Sequence, residues 1–283
     1  MSPLNDVQRP SANLLRVEPL GVTDVIKNIA LICLKEFALS LTLGVALACF
    51  VPTPAGIAIL VSATFIQMTV SVFFHSLGAY AAYNISRHGP NLAQFEKIQN
   101  GCEWITGTNF AMLTGFNTQM LIHETGHTLA SLFSYRNPRP QIQIHPFMGG
   151  TTQFYKTSLT AFGKKIGPVA TTCFVIASGP AFTLLISSII LAIGVAIKER
   201  YPQFGKYLIC WGMIDFINHA NYAYSALRAD QTNSFSHDFV HLSIFGLHPI
   251  VATIGIVAIP IVITLGLNWW QSNLPQNLRQ AMV

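Results

Sequence analysis

"NFAMLTGFNTQMLIHETGHTLASLFS", residues 109–134, is long enough as a helix to cross a hydrocarbon core of about 30 Å, yet it holds two histidines and a glutamate within five positions. Burying three ionisable side chains at membrane depth is unfavourable unless they share a partner such as a cation. The rest of the chain has the same apolar character. Of its 283 residues, 51% are hydrophobic and only 10% charged, whereas a soluble domain carries about a quarter charged residues. Further apolar stretches of spanning length lie at 29–51, 56–83, 168–197, 207–227 and 248–270. The expected fold is therefore an all-α polytopic membrane protein with about six transmembrane helices. The runs 56–83 and 168–197 exceed one span, and Gly179-Pro180 gives the second a place to kink.

Residues 1–28 form a polar amino-terminal tail without the short apolar core of a cleavable signal peptide, residues 29–270 form a single transmembrane domain, and residues 271–283 form a carboxy-terminal tail. The net charge of +5 does not point to nucleic acid, because the lysines and arginines are scattered over loops and not gathered on one face. In the six-span topology the larger share of them, including Arg9, Arg16, Lys27, Arg87, Lys198 and Arg200, falls on the side of the amino terminus. That bias favours a cytoplasmic amino terminus. The five cysteines form no CxxC pair and no spaced framework. Trp269 and Trp270 end the last run, as residues of an interfacial belt do.

His123 and His127 stand four residues apart, so on a helix they share one face, one turn from each other, where both imidazoles can reach one metal ion. Glu124 sits beside them. In the HExxH pattern the histidines bind one zinc ion, while the glutamate takes a proton from the attacking water and passes it to the leaving amine. Chance is a poor explanation, since this composition yields only about 0.01 such matches per chain.

These residues resemble the site-2 protease family of zinc metalloproteases, which cut substrate helices within the membrane. The resemblance rests on HETGH (123–127) within a span, "HPFMGGTTQF" (145–154) shortly after it, "ASGPAFTLL" (177–185) in the next span, and an asparagine-bearing span followed by a late aspartate. It covers roughly residues 109–250. It implies regulated intramembrane proteolysis by a zinc metalloendopeptidase, with His123 and His127 as ligands, Glu124 as general base and a later Asp as third ligand. The partners implied are the lipid bilayer and a transmembrane protein substrate. The chain departs from the family in three ways. It lacks a Leu-Asp-Gly around the third ligand, shows no PDZ-like insert and carries two additional spans before the catalytic one.

A substrate helix must be unwound before hydrolysis, and unwound backbone accepts a strand partner. "QIQIHPFMGGTTQF" (141–154) alternates in polarity like a strand, and Gly149-Gly150 provides a turn or a close backbone approach. It reads equally as an ordinary interfacial hairpin. Gly149, Gly150, Asn218 and Asn221 are the candidate substrate contacts. His219 is either support for a zinc ligand or interhelical glue, His75 is an interhelical hydrogen bonder, and Glu36 is a snorkelling or paired surface charge.

The carboxylates after the motif are Glu199, Asp215, Asp230 and Asp238. At about 1.5 Å per residue, HETGH lies roughly 13 Å from the end at which its span leaves the membrane and roughly 24 Å from the other. Glu199 belongs to the far side, Asp215 falls about 12 Å short, and Asp230 beside Arg228 reads as a solvated loop charge. Asp238 is on the near side, in a short helix that Ser236 can cap and Gly246 can end. It ranks first, ahead of Asp215 and then His237 or His241, provided its segment dips back against protein. Two other functional readings stand beside the protease. One is a membrane zincin of another topology acting on peptides or lipidated tails, and the other a transporter-like protein in which HETGH is a metal or proton site.

Overall fold

A computed structural model describes residues 21–89, 92–229 and 237–275. The described residues form α1 (Val22–Ala48), α2 (Pro54–His88), α3 (Ala93–Phe110), a π-helical turn (Ala111–Gly115), α4 (Phe116–Ser134), a hairpin of β1 (Gln141–His145) and β2 (Gly149–Gln153), α5 (Ala161–Ile166), α6 (Pro168–Ile197), α7 (Pro202–Ser225), α8 (Asp238–Ile244) and α9 (Pro249–Asn273). Four helices, α1, α2, α6 and α9, are long and apolar enough to cross a membrane. α4 and α7, also expected as spans, fall outside that set because the polar residues that make the site dilute their hydropathy. They lie between other helices, α4 against α6 and α7 against α6, α9 and α3.

Packing follows membrane logic, with large apolar side chains outward and small or polar ones between helices. Phe65, Phe133 and Val262 are exposed, while Gln67, Asn117, Ser131 and Thr183 are fully buried. The helix carrying HETGH begins earlier than the hydropathy suggested. α3 runs through the π-helical turn into α4, and its polar amino-terminal part packs along the long α2.

α4 and α6 cross at two glycines. A Cβ on Gly126 would stand 2.4 Å from the Ser178 carbonyl oxygen and 3.0 Å from Gly179 Cα, so no larger residue fits without parting the helices. α6 continues as a helix through Pro180. Leu191, Val195, Phe216, Phe239, Leu242 and Ile256 join α6, α7, α8 and α9 in one apolar core. Thus the segment after α7 does fold back onto protein, as Asp238 requires to reach the site.

Glu36 is not a surface charge. It is buried and receives hydrogen bonds from Gln67 and Ser71 on Oε1 and from Tyr207 on Oε2 at 3.0 Å, with His75 Nε2 also 3.0 Å from Oε2. His75 further contacts Gln203 on α7, so it is the interhelical hydrogen bonder its place on α2 suggested. A buried carboxylate this fully satisfied ties α1 and α2 to α7.

Candidate metal centre

His123 and His127 project from α4 toward α8. His123 Nε2 lies 2.8 Å and His127 Nε2 3.3 Å from Asp238 Oδ2, and the two Nε2 atoms are 3.2 Å apart. A tetrahedral ion with ligand bonds of about 2.0–2.1 Å spaces its ligand atoms by about 3.3–3.4 Å, so these three atoms form one face of a zinc-sized tetrahedron. No other group of three His, Cys, Asp or Glu among the described residues is placed to hold a metal.

The donor chemistry fits an ion as well as the spacing does. His127 gives its Nδ1–H to the Val175 carbonyl at 2.8 Å, so in the neutral ring the lone pair sits on Nε2, the atom turned toward Asp238. Two imidazole nitrogens and a carboxylate oxygen this close require positive charge between them, either shared protons or a metal ion. Burial pushes the Asp238 carboxyl up, but hydrogen bonds from His123 and His127, with their charge, hold it below the usual carboxylate range. Gly179 forms the remaining wall. A Cβ there would stand 2.3 Å from His127 Nε2 and 2.8 Å from His123 Nε2, filling the cradle.

His123 is steadied from behind. Ligation through Nε2 places its proton on Nδ1, which faces His219 Nε2 at 3.4 Å. His219 Nδ1 is in turn 3.2 Å from the Asp215 carbonyl oxygen and 2.6 Å from the Gln119 amide. Of the two readings of His219, support for a ligand is the one the geometry favours. Gln119 was not singled out from the sequence, although it lies one turn before His123 on the same face and helical spacing could have found it.

Glu124 is buried under the hairpin. Thr152 Oγ1 donates to Glu124 Oε2 at 2.7 Å and also lies 3.0 Å from its carbonyl oxygen. Gly150 sits directly over the side chain, where a Cβ would come within 2.6 Å of Glu124 Cγ. The close approach expected at the glycine pair is thus to the Glu124 side chain. Gly149 instead supplies a φ of +137 at the hairpin turn. Thr152 carried no signal in the sequence.

Among the described residues β2 pairs only with β1, with Ile144 opposite Gly150 and Ile142 opposite Thr152. Ile144 sends its N–H away from β2, to the Phe50 carbonyl at 2.8 Å. In an antiparallel pair the opposite residues then also turn their main-chain groups outward, so the backbone N–H and C=O of Gly150 and Thr152 line the free edge of β2 beside Glu124.

Other expected residues lie elsewhere. Asp215 is buried on α7, where its Oδ2 accepts from Ser187 at 2.9 Å, and it does not join the three-atom cluster. Asn218 is partly buried, with its Nδ2 lacking a hydrogen-bond partner among the described residues. Asn221 is exposed, two positions past His219 and so on the opposite side of α7 from the cluster. His237 is the N-cap residue of α8 and pairs with Ser225, and His241 lies one turn further along that helix, outside the cluster. Asp230 and the proposed Ser236 cap lie outside the described residues. Gly246, with φ +96, does follow the end of α8.

One expected result follows from the Gly150 contact. Gly150→Val should push Glu124 out of its place while leaving His123, His127 and Asp238 together, and a structure of the variant in which Glu124 still bonds Thr152 would show that the hairpin yields instead.

The chain matches no protein-family model, no curated protein and no solved structure.

Proposed function

We propose that the chain is an intramembrane zinc metalloprotease that hydrolyses peptide bonds in or next to transmembrane segments of membrane-protein substrates. The observation that carries this reading is the convergence of His123, His127 and Asp238 on one zinc-sized point, with Glu124 one residue away beneath an open strand edge. In this reading α4 and α7 join the four longer helices as spans, giving six, with the amino terminus in the cytoplasm. The lipid bilayer is the solvent and the substrate is itself a membrane helix.

His123, His127 and Asp238 would hold one zinc ion. When bound, zinc acts as a Lewis acid, polarising the scissile carbonyl and making water nucleophilic at neutral pH. The remaining roles belong to the chain. An unwound substrate segment adds to β2 by pairing with the outward N–H and C=O of Gly150 and Thr152, which brings its carbonyl beside the base. Glu124 removes a proton as water oxygen bonds to the carbonyl carbon. It then delivers that proton to the amide nitrogen as the C–N bond breaks, leaving a carboxylate and an amine. Thr152 keeps the Glu124 carboxylate aimed, and His219 keeps the His123 ring oriented.

Purified full-length protein should contain about one zinc per chain and cleave a helical membrane substrate in vesicles, and a zinc chelator should abolish cleavage. Zinc near zero in both native and zinc-reconstituted samples sinks the reading. Cleavage of short soluble peptides alone, with intact helices untouched, would favour a surface-acting zincin.

A further inference from the structure

We propose that Tyr222 is the positioning residue for the third ligand, an inference that rests on the metal-site reading above. Asp238 is the first residue of a seven-residue helix, and such a short helix needs an outside anchor. A side chain on α7 provides it. The Tyr222 hydroxyl accepts the Asp238 backbone N–H at 2.9 Å.

The ring of Tyr222 holds the residues on either side. It stacks on His237, with centroids 4.1 Å apart and planes inclined by 19°, and meets Phe239 edge-on at 5.4 Å. Its other neighbour is His123 itself, edge-on at 6.2 Å. Tyr222 therefore touches three consecutive residues of the segment that delivers Asp238 and one of the two histidines that meet it. A second tie secures the clamp. Ser225 Oγ donates to the Tyr222 carbonyl at 2.7 Å and so receives the Nε2–H of His237 at 3.0 Å. Both bonds join the end of α7 to the start of α8, which fixes the carboxylate opposite His123 and His127 while neither Tyr222 nor Ser225 joins the ligand set.

Groups that hold a ligand carboxylate from outside typically account for a factor of 10–100 in metal affinity. Tyr222→Phe keeps every ring contact and loses the hydroxyl that accepts the Asp238 N–H. In the purified full-length protein, zinc affinity measured by competition with a chromophoric chelator should fall by about 10- to 100-fold, and kcat should recover when zinc is raised to saturation. In the zinc-free protein the far-ultraviolet circular dichroism should be unchanged, which separates positioning from a general loss of structure. Ser225→Ala, a milder probe acting through His237, should shift affinity in the same direction, and Asn221→Ala, on the exposed side of α7, should not. Zinc held by both Y222F and S225A as tightly as by the unaltered chain overturns the proposal. An unaltered chain that binds no zinc removes the metal reading, and the role of Tyr222 falls with it.

Discussion

Glu124→Gln is expected to slow peptide-bond hydrolysis by about 10²–10⁴-fold, the usual contribution of a general acid–base group, without loss of zinc. The substitution isolates proton transfer. Gln has the shape of Glu, so it fits the space beneath Gly150, and its amide oxygen still accepts the Thr152 hydroxyl that now bonds Oε2. Glu124 also stays outside the cluster of His123, His127 and Asp238, so the metal cradle is unchanged. The amide has no basic site for the proton of water. The measurement is cleavage of a helical substrate in vesicles alongside zinc content by atomic absorption. Hydrolysis at the unaltered rate would falsify the assignment of Glu124 as the base.

Asp238→Ala is expected to abolish both stoichiometric zinc and activity, because it removes one of the three protein ligands a catalytic zinc site uses. It also removes the carboxylate that draws the two Nε2 atoms together. Asp215→Ala is the informative companion. Asp215 is also a carboxylate and more deeply buried, but its Oδ2 accepts from the Ser187 hydroxyl away from the cluster, so its loss should lower stability and spare the metal. If D238A keeps zinc and activity while D215A loses both, the ligand set is wrong and α7 completes the site.

The parts of this site that depend on local periodicity were legible from residues alone. Four-residue spacing put His123 and His127 on one face, alternation announced the strand at 141–145, and counting rise per residue ranked Asp238 over Asp215. The parts set by tertiary packing were not legible. Thr152 reaches Glu124 across 28 residues of sequence and the Glu36–His75 pair spans 39. No neighbour in either stretch hints at its distant partner. Hydropathy also misplaced the start of the HETGH helix, because α3 is too polar to read as part of it and becomes helical by packing on α2. A span rich in polar residues does not by itself say which of them face inward, and on α7 it is His219 that is buried at the cluster while Asn221 is exposed.

The clustering of His123 and Asp238 joins residues 115 positions apart, and the chain emerges from the ribosome in one direction. At about 5–20 residues per second, His123 is made about 6–23 s before the aspartate that meets it. During that interval the nascent chain carries both histidines without the carboxylate, and α6 and α7 are made in full before it. The three-residue cluster therefore cannot form until translation has passed α7 and the chain has turned back as α8.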